Sequence, residues 1–263
     1  MNFEPEMALR GIVTGIQNAL ESMRINKVVI GLSGGIDSAV TAALAVRAIG
    51  SEKVHGYIMP SEYSAPESAE YAYKLARNLG IEYDTIPIDD ALVVLKKSLL
   101  ESLGQVTGTV TEENLQARIR GVLLMAYANE NNAVVVATGN KSEAFVGYCT
   151  LYGDTVGAFA PLGHIFKTEV YKIADFLNKD GEHIPQEIID RAPSAELSPG
   201  QKDTDALPPY DILDVILAHY EDEGKQYVLD KHIDDVENVI ERIEKNAYKW
   251  RQSAPALDYR KYI

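Results

Sequence analysis

Short apolar runs alternate with longer stretches of helical periodicity along the first half of the chain, and this alternation predicts the architecture. Residues Pro5 to Arg24 place Met7, Ile12, Ile16 and Leu20 at near-helical spacing, although Gly11 and Gly15 weaken the helix. The run Lys27-Val-Val-Ile-Gly-Leu32 is β-branched and short, the pattern of a buried strand. A helical stretch from Ala39 to Ala48 follows, then a second strand over Lys53–Met59, stopped by Pro60. Ser64 to Leu79 predicts a helix with Pro66 in its tolerant first turn and Gly80 just past its end. Ile81–Ile88 continues as a third strand and Asp90–Leu103 as a helix.

A polar, glycine-bearing stretch from Gly104 to Thr111 predicts a surface loop. The next helix starts at Thr111 and Asn114, with Leu115, Ile119, Val122, Leu123, Ala126 and Tyr127 as its apolar face. Ala133–Thr138 is wholly apolar until its last residue, as strands covered on both faces are. The segment from Gly147 to Gly163 lacks periodicity but carries aromatic residues, which suits a functional loop. Phe166 to Leu177 is helical, and Ile184 to Pro209, with five prolines, predicts a lid or linker. Tyr210–Tyr220 and Ile233–Lys245 are amphipathic, and the tail after Asn246 mixes cations with aromatics: either a frayed end or a cover over an anionic, aromatic ligand. Strand–helix alternation predicts an α/β fold, a doubly wound, Rossmann-like parallel sheet with helices on both faces, in one domain over 1–263. Ligands of such sheets sit beyond the carboxyl ends of the strands.

That position is occupied by Gly31-Leu32-Ser33-Gly34-Gly35-Ile36-Asp37-Ser38, between the first strand and its helix. Unpaired backbone N–H groups and a helix dipole make such a turn an anion site. Gly34 and Gly35 admit close approach, and Ser33 and Ser38 add hydroxyls. The loop lacks the lysine of G-x-x-x-x-G-K-[ST] and the spacing of G-x-G-x-x-G. S-G-G-x-D-S resembles the pyrophosphate loop of ATP pyrophosphatases. An acidic Asp37 among phosphates calls for a cation, here assigned as Mg²⁺, with Glu143 of the fourth strand's loop as its second carboxylate. Thr138 would approach from the same side as Glu143. Lys167 opposes the dipole of its helix, a local conflict of the kind that marks sites, with an exposed lysine as the plain alternative. Arg118 and Arg120 each offer a fork for a carboxylate or phosphate.

Composition narrows the partners. The 39 acidic against 25 basic residues and the net charge of −14 argue against extended nucleic-acid contact, though not against a local basic patch. No apolar run reaches the roughly 18 residues of a membrane span. The acidic N-terminus lacks a signal-peptide pattern. The single cysteine, Cys149, forms no internal disulfide and suits a reducing, cytosolic setting. Five scattered histidines show no metal-ligand spacing.

The blocks G-L-S-G-G-I-D-S, M-P-S-E-Y-S, E-N-L-Q-A-R-I-R-G, T-G-N-K-S-E, G-Y-C-T-L-Y-G-D, K-T-E-V-Y, P-S-A-E-L, L-P-P-Y-D and N-A-Y-K occur in this order. Together they make nearly the whole chain resemble the NAD synthase family, specifically the synthetase half of its glutamine-dependent members. The resemblance implies adenylation of the nicotinate carboxylate of deamido-NAD by ATP, then amidation by ammonia. It places Gly31, Leu32, Ser33, Gly34, Gly35, Ile36, Asp37, Ser38, Thr138, Lys167 and Ser194 on ATP, and Asp37 and Glu143 on Mg²⁺. It places Asn114, Arg118, Glu143 and Lys249 on the dinucleotide, and Asp154 on ammonium. Lys167, Asp37 and Asp154 are the expected catalytic residues. No counterpart of the glutaminase domain is present, so free ammonia, or ammonia from a separate glutaminase subunit, is expected. Trp250 stands where the family's tail has its first arginine after Y-K. A homodimer through the helix of Arg118 is implied as well. The rival readings are another ATP pyrophosphatase acting on a different carboxylate and a non-catalytic nucleotide-binding module.

Overall fold

A computed structural model describes residues 3–104, 109–198, 200–230 and 235–263. Four parallel strands stand in the order β3-β2-β1-β4. They are β1 (Val28–Gly31), β2 (Val54–Ile58), β3 (Glu82–Thr85) and β4 (Val134–Val135). In β1, alternate side chains serve opposite faces, and the burial follows that period. Val28 and Ile30 enter a core with α1 (Pro5–Met23), α2 (Ile36–Ile49), α3 (Pro66–Leu79) and α7 (Lys167–Leu177). Val29 enters the opposite core with α4 (Asp89–Leu103) and α5 (Thr109–Asn131), through Ile88, Leu92, Ile119 and Leu124. Helices therefore cover both faces, as a doubly wound parallel sheet requires.

A third apolar cluster lies away from the sheet. It joins α6 (Lys141–Val146), α9 (Tyr210–Glu223), α10 (Lys225–Asp230) and α11 (Val236–Trp250) through Phe145, Leu213, Ile216, Val228 and Ile240. The short helix α8 (Gln186–Asp190) buries Ile188 against the first core.

Several boundaries differ from the sequence reading for local reasons. The third strand ends at Thr85 rather than Ile88, although Ile86 and Ile88 still donate to Ile58 and Pro60 carbonyls. The fourth spans two residues, although Val136 still donates to the Val29 carbonyl and bridges Phe159. α5 begins at Thr109, within the expected loop, of which 105–108 lie outside the described residues. Ile233 and Asp234 of the last amphipathic stretch also lie outside them, and α11 runs on to Trp250.

Met7 is 48% exposed, so Leu9 replaces it on the buried face of α1. Gly11 and Gly15 are close-approach positions, not weaknesses. A Cβ on Gly11 would sit 2.5 Å from the Tyr259 carbonyl, and one on Gly15 3.0 Å from the Tyr262 ring. The C-terminal segment packs there, so the tail is not frayed. Val122, at 68% exposure, and Ala126 point outward from α5, contrary to the apolar face expected for them.

Candidate active site

β1 ends at Gly31 and α2 begins at Ile36, so the chain must reverse within Leu32–Gly35. Gly34 makes the reversal with φ +79°, and a Cβ there would lie 2.3 Å from the Ser68 carbonyl. Ser38 Oγ donates to the Gly35 carbonyl at 3.0 Å and lies 3.1 Å from Ser33 Oγ. The Ser33 N–H donates to Ser38 Oγ at 3.3 Å. The loop is thus preorganised around the α2 N-terminus, where the dipole favours anions.

Asp37, on the first turn of α2, faces two residues brought from far along the chain. Its Oδ1 accepts from Asn140 Nδ2 at 2.9 Å, and its Oδ2 lies 2.5 Å from Lys167 Nζ. Lys167 Nζ also reaches Glu143 Oε1 at 3.1 Å. Asn140 caps α6 reciprocally: its Oδ1 accepts from the Glu143 N–H at 3.0 Å, and its own N–H donates to Glu143 Oε2 at 3.3 Å. One amide therefore sets the positions of both carboxylates.

Lys167 is 2% exposed, which removes the reading as an ordinary surface lysine. Burial disfavours its charge, but Asp37 and Glu143 outweigh that and hold the ammonium protonated well above its usual range. Burial pushes the Glu143 carboxyl above the usual carboxylate range, against the pull of Lys167. The Tyr210 ring lies 5.1 Å beneath Lys167 Nζ, and the Tyr210 hydroxyl donates to Asp203 Oδ2 at 2.8 Å. Asp203 is 4% exposed, and its carboxylate acts on the buried Tyr148 hydroxyl as well. Asp37 and Glu143 thus share one ammonium with Asp203 in electrostatic reach of it, an excess of negative charge that a divalent cation would balance.

Asp37, Glu143, Tyr148, Lys167 and Asp203 line a cavity of about 280 Å³ at the carboxyl ends of β1, β2 and β4. Its walls include Gly31, Leu32, Ser33, Gly35, Ile36, Asp37, Ser38, Thr138, Glu143, Asp154, Lys167 and Ser194. Gly34 lies behind that surface, against Ser68. The stretch 191–197, expected as lid or linker, forms one wall. Ser194 Oγ donates to the Gln201 carbonyl at 2.5 Å and accepts from the Glu196 N–H at 3.1 Å.

Asn114, Arg118 and Lys249 are not in the walls; they converge on the 147–154 loop. Thr150 Oγ1 donates to Asn114 Oδ1 at 2.6 Å, and Arg118 Nε donates to the Leu151 carbonyl at 3.1 Å. Lys249 Nζ donates to the carbonyls of Gly147 and Cys149 at 2.7 and 2.8 Å. Asp154 ends the same loop, accepting from the Thr150 N–H at 2.6 Å. It is open to the cavity mouth, yet the protein packed around it pushes its carboxyl up to about 6, against the pull of that N–H. Trp250 Nε1 donates to the Ala144 carbonyl, and its ring meets Phe145 edge-on at 4.1 Å.

The structure also separates the two arginines of α5. Arg118 is exposed, whereas Arg120 is in the cavity wall, with Nε donating to the Met59 carbonyl at 2.9 Å. Sequence reasoning had no role for Asn140, Asp203 or Tyr210, and it offered Arg120 only as an alternative to Arg118. Only Asn140 carried a local signal, an Asn three residues before Glu143, as in a capping box.

A parallel α/β sheet with a serine- and glycine-lined anion loop, an acidic residue within it and a buried lysine opposite defines a nucleotide-binding protein of the pyrophosphate-loop fold. The chain belongs to the NAD synthase family, whose family model matches residues 8–253. It is 42% identical over 258 residues to the glutamine-dependent NAD(+) synthetase of Synechocystis sp., covering 97% of this chain and 46% of that protein. To the enzyme of the same description from Thermotoga maritima it is 47% identical over 261 residues, covering 95% of this chain and 44% of the other. The chain thus spans about half the length of these curated relatives. Among solved structures, an NMN synthetase from Francisella tularensis superposes with TM-score 0.81 at 31% identity, covering 95% of this chain and 97% of that one. The NH3-dependent NAD synthetase of Campylobacter jejuni does so with TM-score 0.77 at 31% identity, covering 94% and 96%.

Proposed function

We propose that this chain is an ammonia-dependent NAD synthase, which joins deamido-NAD, ATP and ammonia into NAD, AMP and pyrophosphate. The observation that carries the reading is Lys167, buried opposite the phosphate loop and within 3.1 Å of both Asp37 and Glu143. A carboxylate is a poor acyl donor, and adenylation gives it a leaving group. The nicotinate oxygen attacks the α-phosphorus, pyrophosphate departs, and ammonia displaces AMP from the acyl-adenylate. Residues 31–38 cradle the phosphates, Thr138 and Ser194 contact ATP, and Lys167 steadies charge that develops at phosphorus. The donor chemistry suits Mg²⁺: the hard carboxylate oxygens of Asp37 and Glu143 both reach Lys167 Nζ, and Asp203 adds a further negative charge nearby. Bound there, Mg²⁺ would supply charge neutralisation on the phosphates.

Asp154, at the cavity mouth, takes the ammonium proton. The 147–154 loop, held by Asn114, Arg118 and Lys249, is the dinucleotide platform. The Campylobacter neighbour, NH3-dependent by name and matched over nearly all of both chains, supports ammonia as nitrogen donor, supplied free or by a separate glutaminase subunit. The Francisella neighbour favours a second reading, amide formation on a mononucleotide. Supplying ATP, Mg²⁺ and ammonium with deamido-NAD or its mononucleotide counterpart, while following amide product, AMP and pyrophosphate, separates the two. Equal amounts of all three products from the dinucleotide support the reading; AMP without amide product from either sinks it.

The exposed Val110, Val122 and Met125 of α5, the helix of Arg118, suit a homodimer. Light scattering should then give twice the 28.9 kDa chain mass, and a monomer at micromolar concentration would count against it. The acidic balance and single cysteine suit a cytosolic enzyme without nucleic-acid partners. No described helix is long and apolar enough to cross a membrane.

A further inference from the structure

Beside the phosphate loop the cavity wall contains an internal anion held in an unusual way. Glu196 is one of five described non-glycine residues with positive φ, at +49°, where an L side chain is disfavoured. Its two carboxylate oxygens lie 2.7 and 2.8 Å from Ser68 Oγ. Arg191 Nη1 donates to the same Ser68 Oγ at 2.6 Å, and Arg191 Nη2 pairs directly with Glu196 Oε1. Ser68 is in the first turn of α3, a fourteen-residue helix whose dipole favours negative charge at that end. Arg120 faces the same cavity, and the charge of Glu196 acts on its guanidinium against the downward shift that burial causes. A hydroxyl, an arginine fork, a helix N-terminus and a second arginine are the parts of an oxyanion cradle.

The cradle abuts the phosphate loop: at Gly34 any Cβ would meet the Ser68 carbonyl. A polyphosphate seated on Ser33–Ser38 therefore has a second anion position beside it in the same cavity. We propose that Ser68 and Arg191 form a subsite for a terminal phosphate group of ATP or of the released pyrophosphate, and that the Glu196 carboxylate is its internal placeholder. The proposal deepens the ATP-cleaving reading and rests on it for the identity of the anion. No bond is made or broken; a phosphate oxygen exchanges places with a carboxylate oxygen on the same donors. The strained backbone at Glu196 is consistent with a side chain that is held in the seat and displaced from it.

Titration calorimetry of the full chain with inorganic pyrophosphate, free of nucleotide and Mg²⁺, tests this. Glu196→Gln weakens the placeholder and should tighten pyrophosphate at least fivefold. Removing any nearby negative charge would do something similar, so Glu196→Asp is the sharper variant. It keeps the charge but is one methylene too short to fill the seat, and should still tighten binding about threefold. Adding Ser68→Ala to Glu196→Gln should abolish most of the gain. Melting curves for each variant confirm that it is folded. The proposal is overturned if Glu196→Asp binds no more tightly than the parent. It is equally overturned if the gain in Glu196→Gln survives Ser68→Ala, since charge removal alone would then account for it. Because pyrophosphate binding involves no amidation, a different acid substrate would leave these outcomes intact, and the two readings fail separately.

Discussion

Replacing Lys167 by Met keeps most of the side-chain volume and removes the charge that Asp37 and Glu143 share. Breaking a buried ion pair by deleting one partner costs about 3–5 kcal/mol, because the remaining charge is stranded. Both carboxylates retain 18% side-chain exposure, which places the effect at the low end. At about 3 kcal/mol, and about 2–4 °C per kcal/mol for a domain of this size, the melting temperature should fall by roughly 6–12 °C. Because the stranded groups are hard carboxylates, millimolar Mg²⁺ should restore more of this loss in the variant than it adds to the parent. Catalysis should fall further than stability suggests, by a factor on the order of 10²–10³ in kcat, as for loss of a preorganised charge-stabilising group. Calorimetric scans with and without Mg²⁺ measure the stability effects, and steady-state assays of parent and variant measure the loss in kcat. A variant melting within about 2 °C of the parent, well under the shift that 3 kcal/mol implies, would show that Lys167 is not the keystone of the carboxylate pair.

Three further outcomes follow from the geometry. Gly34→Ala should be poorly folded and fail to bind ATP in equilibrium dialysis, since its Cβ would meet the Ser68 carbonyl at 2.3 Å in a left-handed conformation; wild-type affinity would refute the tight loop. Asp214 accepts from the Thr168 N–H at 2.9 Å and pairs with Ser142 Oγ, which accepts from the Lys167 N–H at 2.8 Å. Asp214→Ala should therefore lower kcat by roughly 10–100-fold while leaving the KM for ATP nearly unchanged, in line with loss of a supporting hydrogen bond behind a functional group; a shift in KM alone would contradict a positioning role. Asp154, raised to about 6, takes up a proton as pH falls through that value and then cannot accept one from ammonium. The rate should decline below about pH 6 on that account, and Asp154→Asn should lose both the activity and this acid limb; full turnover by the variant at saturating ammonium would remove Asp154 from the chemistry.

The sheet and its phosphate loop were legible because their signals are local. Lys27 to Ser38 carry a β-branched run, two glycines and a helix start in one short stretch, and the structure places them there. Lys167 could be singled out only as a charge on the wrong end of a helix. What makes it a centre, Asp37, is 130 residues away in sequence, and no periodicity reports such a pairing. Arg118 and Arg120 illustrate another limit. Two residues apart on a helix they point in different directions, so pattern alone does not tell which enters the cavity. Asp203 and Glu196 were hidden in a stretch that lacks periodicity, because a cavity wall built of irregular chain is held by hydrogen bonds rather than by an apolar stripe. Gly11 and Gly15 were misread for the complementary reason: the segment that needs their missing side chains lies at the other end of the chain.

The most direct test of the account is the fate of a carboxylate oxygen. Deamido-NAD labelled with ¹⁸O in its nicotinate carboxylate should be turned over with ATP and ammonium, and the products weighed by mass spectrometry. If the carboxylate attacks the α-phosphorus, one labelled oxygen leaves with each AMP formed, and pyrophosphate carries none. Unlabelled AMP, or label in pyrophosphate or inorganic phosphate, would contradict adenylation at this site.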